Sequence, residues 1–133
     1  MGIFNFFKKK VLEPDPDLCL FRDLYVIAFG NDGPKLSKSS IDIISEAFNP
    51  PLNLNKEKSK IAMKANPDTI QDCYPIEKEK KDIFLKLMVL LWVRSGNHSR
   101  AATKQYIFNV AEKLGYSRIY VVDEFEVMES CPF

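Results

Sequence analysis

With 133 residues, 46% of them apolar, the chain has the material for one domain with its own core, and it is too apolar and too near neutrality to be a disordered segment. Nineteen Lys and Arg against eighteen Asp and Glu give a formal net charge of +1, so the basic excess that displaces counterions from nucleic acid is missing and no nucleic-acid partner is expected. Cys19, Cys73 and Cys131 are odd in number with no close pair, which argues against a disulfide framework or zinc knuckle and for free thiols in a reducing cytoplasm.

Residues 1–16 read as an N-terminal head and linker, and 17–133 as the domain. In the head, Ile3, Phe4, Phe6 and Phe7 are followed at once by Lys8, Lys9 and Lys10. That order is the reverse of a secretory signal. Phe6 stands where a myristoylation signal needs Ser or Thr. The head is therefore a candidate contact to a partner or, weakly, to a membrane surface, where each lysine contributes about 1 kcal/mol. The competing readings are a head docked on its own bundle and a frayed terminus.

"EPDPD" (13–17) cannot continue a helix, and Asp17 is the expected N-cap of the first helix, 18–31. Leu20, Phe21, Leu24, Ile27 and Ala28 form its apolar face; Gly30, Gly33 and Pro34 end it. Ser37 opens a second helix, 37–48, with Ile41, Ile44 and Phe48 on one side. "NPPLNLN" breaks the chain. Asn55 caps a polar third helix, 56–65, whose apolar positions are Ile61, Ala62 and Met63. Asn66 and Pro67 open a short turn through Cys73.

The longest helix, 76–94, begins with the solvated run "EKEKK". It continues as "IFLKLMVLLWV" (83–93), too short to cross a bilayer and apolar nearly all round, so other helices must sheathe it. A fifth helix, 99–114, turns Ile107, Val110, Ala111 and Leu114 inward, and Gly115 ends it in a left-handed conformation. Ser117 caps a last segment, 118–129. Its "IYVV" is β-branched, but Val121, Phe125 and Met128 fit a helical face, and a lone strand would find no partner. The expected fold is all-α, a small bundle of about six to seven helices.

An internal correspondence runs at an offset of 63 residues. "LYVIAFGNDG" (24–33) aligns with "LMVLLWVRSG" (87–96), pairing Leu24 with Leu87, Val26 with Val89, Phe29 with Trp92 and Gly33 with Gly96. Chance or convergence among apolar helices is the competing explanation; a true repeat predicts two related helical halves with a pseudo-twofold relation.

Apolar helix, Asp-Gly turn, Ser-capped helix, and then that unit again: over 17–129 this resembles the tellurite-resistance TerB-like family. The resemblance implies an all-α fold of two related halves and a place in stress-response or membrane-associated assemblies. It also implies a metal site at acidic residues of the turn. Here "NDGPKLSKSS" keeps Asp32, Gly33 and Leu36 but has Ser39 and Ser40 where a Glu belongs; "RSGNHSRAAT" keeps only Gly96. Asp32 is the candidate ligand for a divalent metal, with Asp23, Asp42 and Glu46 the nearest helpers. A hard cation takes six to eight oxygens, so turn chemistry is the plainer reading, with Gly33 supplying positive φ and Asp32 bonding nearby backbone.

His98 lies near a helix start without a nucleophile signature around it, and no Gly-rich phosphate loop is present. Phe84, Met88 and Trp92, spaced by four, fill a core or line a ligand pocket. With no catalytic constellation, the leading expectation is a non-enzymatic helical interaction module with an unknown protein partner and no cofactor. It would be cytoplasmic and, through residues 3–10, peripheral to a membrane. The alternative is a TerB-like metal-ion-binding stress-resistance protein with a degenerate acidic site.

Overall fold

A computed structural model describes residues 11–74, 77–94 and 101–130, and every regular element among them is helical. Six α-helices follow in order: α1 (Pro16–Asp32), α2 (Lys38–Ser45), α3 (Lys56–Lys64), α4 (Lys78–Val93), α5 (Ala101–Lys113) and α6 (Arg118–Ser130). Single 3-10 turns lie at Glu46–Phe48 and Pro67–Thr69. The head with Ile3, Phe4, Phe6, Phe7 and Lys8–Lys10 lies outside the described residues, as do Gly96, His98 and Cys131.

Capping chemistry starts these helices. Asn55 accepts from the amides of Glu57 and Lys58 at the start of α3, and Ser37 accepts from Ser40 N–H at the start of α2. Asn66 caps the Pro67–Thr69 turn, which stops at Thr69 rather than running on to Cys73. Asp17 does not cap α1. Asp15 does, accepting from Asp17 and Leu18 N–H at 2.9 and 3.2 Å. The physical reason is Pro16: a residue without an N–H fits the first helical position, so the cap falls one residue earlier. Asp17 instead accepts from Asn55 N–H at 2.9 Å, and Asp15 pairs with Lys58 at 2.8 Å; the two carboxylates tie the start of α1 to that of α3. At the other end, Gly33 has φ of 80° and Gly115 has φ of 96°, both in the region that favours glycine.

The expected core face of α1 is buried throughout, but so are Leu18, Cys19, Arg22, Asp23 and Asn31. The most enclosed helix is therefore α1 as well as α4. In α4, Phe84, Leu85, Leu87, Met88, Val89 and Leu91 are buried, and Lys86 keeps its charge in solvent. In α2 it is Ile43 and Ile44 that face inward, while Ile41 is 51% exposed. The helix ends early, at Ser45, and the tighter 3-10 turn rotates Phe48 back against the core. α6 is a helix: Val121 and Phe125 are buried, and Ile119 of "IYVV" points to solvent.

The first half of the chain contributes α1–α3 and the second α4–α6, with α1 and α4 packed on each other at the centre. α3 packs on α1 and α6 on α4, while α2 packs more on α4 than on α1 and α5 packs on both long helices. α5 also packs on α6, a contact that α2 and α3 do not repeat to the same extent, so the two halves correspond only in part. Asn31 adds a polar tie between the long helices, donating to the Leu91 carbonyl at 3.4 Å. No helix among the described residues is long and apolar enough to cross a membrane.

Candidate functional site

Tyr25 and Phe29, four residues apart on α1, and Phe48 form the floor of a groove, with Phe21 buried beneath them. Tyr25 and Phe29 stack with ring centroids 6.0 Å apart, Phe21 meets Tyr25 at 6.4 Å, and Phe48 closes on Phe21 at 5.7 Å. The Tyr25 hydroxyl and the Ser59 hydroxyl share a 2.8 Å hydrogen bond, which fixes the ring against α3. Ile41 and Ile44 of α2 form one wall and Met63 of α3 the other, leaving an apolar groove of about 560 Å³. Ile41 and Met63 are 51% and 42% exposed, so they are apolar surplus that the core does not use. Lys35 lies on the edge of the groove, and the Lys56 ammonium sits 5.5 Å over the Phe48 ring.

On the adjoining face of α1 lies a buried charge network. Asp23 is fully buried and accepts three hydrogen bonds: from Arg22 Nε at 3.0 Å, from the Tyr74 hydroxyl at 2.7 Å and from the Tyr106 hydroxyl at 2.6 Å. The rest of the Arg22 guanidinium donates to the Ile70 carbonyl at 2.7 Å, to Asp72 at 2.7 Å and to Tyr74 at 3.0 Å. Lys113 reaches Asp72 at 2.8 Å. Burial pushes the Asp23 carboxyl up despite these donors. Burial and then Asp23 hold both tyrosines protonated well above their usual range. Lys113 and Arg22 hold Asp72 below the carboxylate range, against a partial burial that raises it. A hollow of about 400 Å³ opens beside Arg22, Asp72, Tyr106 and Lys113, but these charges already bond one another. The network joins α1, the 70–74 segment and α5.

Asp32 sits in neither feature. Its Oδ2 accepts from Ser37 N–H at 2.9 Å and from the Ser40 hydroxyl at 2.6 Å, so Ser40 serves as a donor to the acid. Asp23 is nine residues earlier on the same helix, roughly 13 Å along its axis, and is committed to the network. Asp42 and Glu46 line a separate hollow with Lys38 and Arg94. Among the described residues no group of three or more His, Cys, Asp or Glu could hold a metal ion. Phe84 and Met88 are fully buried, and Trp92 packs edge-on to Phe125 at 5.4 Å with the Lys104 ammonium 4.8 Å over its ring.

The sequence names neither the groove nor the network, although two signals point toward them. Ile61, Met63 and Ile41 exceed what one buried face needs, which is the mark of a second apolar surface. "FRDL" puts two charges on a helix that is otherwise apolar on that side, which is the mark of a buried pair. No family model matches the chain, and no curated protein or solved structure does either.

Proposed function

We propose that the chain is a non-enzymatic interaction module whose first-half groove receives an amphipathic helix with apolar anchors and acidic flanks. The groove itself supports this reading. It is apolar, preformed on rigid helices and of the size that a few large side chains fill. Charge complementarity selects the occupant, since Lys35 and Lys56 border the groove and favour acid beside the anchors. The same lysines disfavour the chain's own head, whose apolar residues are followed by Lys8–Lys10. The TerB-like resemblance and a place in a bacterial-type stress-response or membrane-associated assembly belong to this proposal. They are supported by the helix–turn–helix pattern and by the corresponding central places of α1 and α4. The metal-binding alternative would need ligands that Asp32 does not find among the described residues.

A pair of labelled synthetic helices tests it. Both carry leucines at i, i+3, i+4 and i+7; one has glutamates on its polar face and the other lysines. Fluorescence polarisation should show the glutamate helix binding at least tenfold more tightly, with methyl shifts at Met63 and Ile44. Ile41→Glu should abolish that binding. Equal affinity for both helices, or shifts confined to the head or to another face, would refute the groove as the site.

A further inference from the structure

Cys19 and Cys73 are separated by 54 positions in sequence, yet Cys73 N–H donates to Cys19 Sγ at 3.2 Å. Both thiols are free. Cys19 is fully enclosed on α1, whereas Cys73 is half-buried in the 70–74 segment. With that contact and ordinary covalent lengths, the two Cα atoms lie roughly 6 Å apart, inside the range of about 4.4–6.8 Å that a disulfide needs. Closure takes a rotation of the Cys73 side chain together with whatever adjustment of the 70–74 backbone brings the two Cβ atoms to converge.

We propose that Cys19 and Cys73 form a peroxide-sensitive dithiol site that closes into an intramolecular disulfide. The accessible partner reacts first. The Cys73 thiolate attacks hydrogen peroxide or an organic hydroperoxide, its sulfur losing two electrons as the O–O bond breaks. Cys73 becomes a sulfenic acid, and the hydroxide or alkoxide that leaves takes up the proton the thiol had released, giving water or an alcohol. Cys19 Sγ then attacks the Cys73 sulfur, the S–O bond breaks, and the hydroxyl departs with the Cys19 proton as water. Two features assign the roles. Burial, with Asp23 nearby, pushes the Cys19 thiol up to about 11, which keeps it neutral and shields it from oxidant in solution. The Arg22 guanidinium, 3.5 Å from Cys19 Sγ, lends positive charge where thiolate character develops during the second step. Closure pins the 70–74 segment, which carries Asp72 and Tyr74 of the charge network, to α1.

The test uses the full chain with Cys131→Ser, so that the third thiol cannot exchange. Stepwise hydrogen peroxide should remove both thiols together, with the loss of two hydrogens in intact mass, and proteolysis should recover a peptide pair joined through Cys19 and Cys73. The oxidised chain should melt several degrees higher, and dithiothreitol should reverse the shift. Cys73→Ser should leave Cys19 unoxidised at the same doses, with an unchanged far-ultraviolet circular dichroism spectrum. If that variant fails to fold, the mass and peptide map of the Cys131→Ser chain still decide. Sulfinic acid on Cys73 beside a reduced Cys19, or disulfides only between chains, would overturn the proposal. Neither result bears on the groove, because the dithiol is outside it.

Discussion

Tyr106→Phe should flatten the alkaline unfolding of this chain. Burial, and then the Asp23 carboxylate that each hydroxyl bonds, holds Tyr74 and Tyr106 protonated well above the ordinary tyrosine value. The unfolded chain loses those protons near pH 10. A raised folded-state pKa contributes stability that is fully present below the unfolded value and is lost as pH climbs above it. Well above pH 10 the unfolded state carries two fewer of these protons, so stability there falls by about 1.4 kcal/mol per pH unit for each tyrosine, or about 2.7 for the pair. Cys19, moved from 9.0 to about 11, adds a similar decline that begins near pH 9. Phenylalanine at 106 deletes one of these protons, and the slope between pH 10 and 11 should become shallower by about 1 kcal/mol per unit, approaching about 1.4 at higher pH. At pH 7 the same change costs about 1.5–3 kcal/mol, because a buried carboxylate loses a donor. Urea midpoints in half-unit steps from pH 8 to 11, for wild type and variant, measure both effects. Tyr116 is present in both chains, so its contribution cancels in the difference. Equal alkaline slopes would refute the idea that the Tyr106 hydroxyl stays protonated against Asp23.

Asp23→Ala removes the buried partner that Arg22, Tyr74 and Tyr106 share and should cost about 3–5 kcal/mol, while Arg22→Met with Asp23→Leu recovers most of it; urea midpoints compare the two. Asp32→Ala removes the bonds to Ser37 and Ser40 and should lower stability by about 1–2 kcal/mol, with Asp32→Asn losing less; millimolar Ca²⁺ or Mg²⁺ should leave the wild-type melting temperature unchanged, and a rise would revive the metal reading. A Cβ on Gly30 would lie 2.8 Å from Thr103 Oγ1. Gly30→Ala should therefore destabilise, the overpacking of about 1–3 kcal/mol outweighing a propensity gain of about 1, and it should become stabilising in a Thr103→Ala background. Ile41→Glu, on an exposed position, should keep stability within about 0.5 kcal/mol of wild type while helix binding is lost.

Helix positions and most caps were legible because they depend on local chemistry. Ser37, Asn55, Asn66, Gly33 and Gly115 each act over three or four residues. Asp15 was missed because Asp17 is also a plausible cap, and only the position of Pro16 separates them. The core of α5 was legible from its period. α1 was harder: five apolar positions describe one face, but partners on several sides make nearly every face a buried one. The charge network was illegible for a different reason. Asp23 reads from the sequence only as a helper to a metal at Asp32 and Arg22 is not singled out, because the groups that make their burial tolerable lie 48 to 83 positions away. The groove had the same difficulty, since α1, α2 and α3 must be assembled before Met63 can face Ile41.

α1 and α4 correspond at the 63-residue offset and both lie at the centre of the bundle, but only α1 carries the charge pair on which the network is built. At the 63-residue offset, Arg22 corresponds to Leu85, which is buried, and Asp23 to Lys86, which is exposed. Two similar apolar hairpins risk packing in exchanged seats, because apolar contacts are nearly indifferent to which long helix occupies which place. The network removes that indifference. In the seat of α4, Arg22 and Asp23 would be apart from Asp72, Tyr74 and Tyr106, and an uncompensated buried charge costs several kcal/mol. Only the observed arrangement brings residues 70–74, from the connection between the halves, and Tyr106, from the second half, onto the same face of α1. The variant carrying Arg22→Met and Asp23→Leu separates stability from uniqueness. It should retain a high urea midpoint while giving broadened amide spectra and binding a hydrophobic dye, the marks of a core with more than one packing. A single sharp spectrum from that variant would mean that apolar packing alone distinguishes the seats, and that the charges were never needed to choose between them.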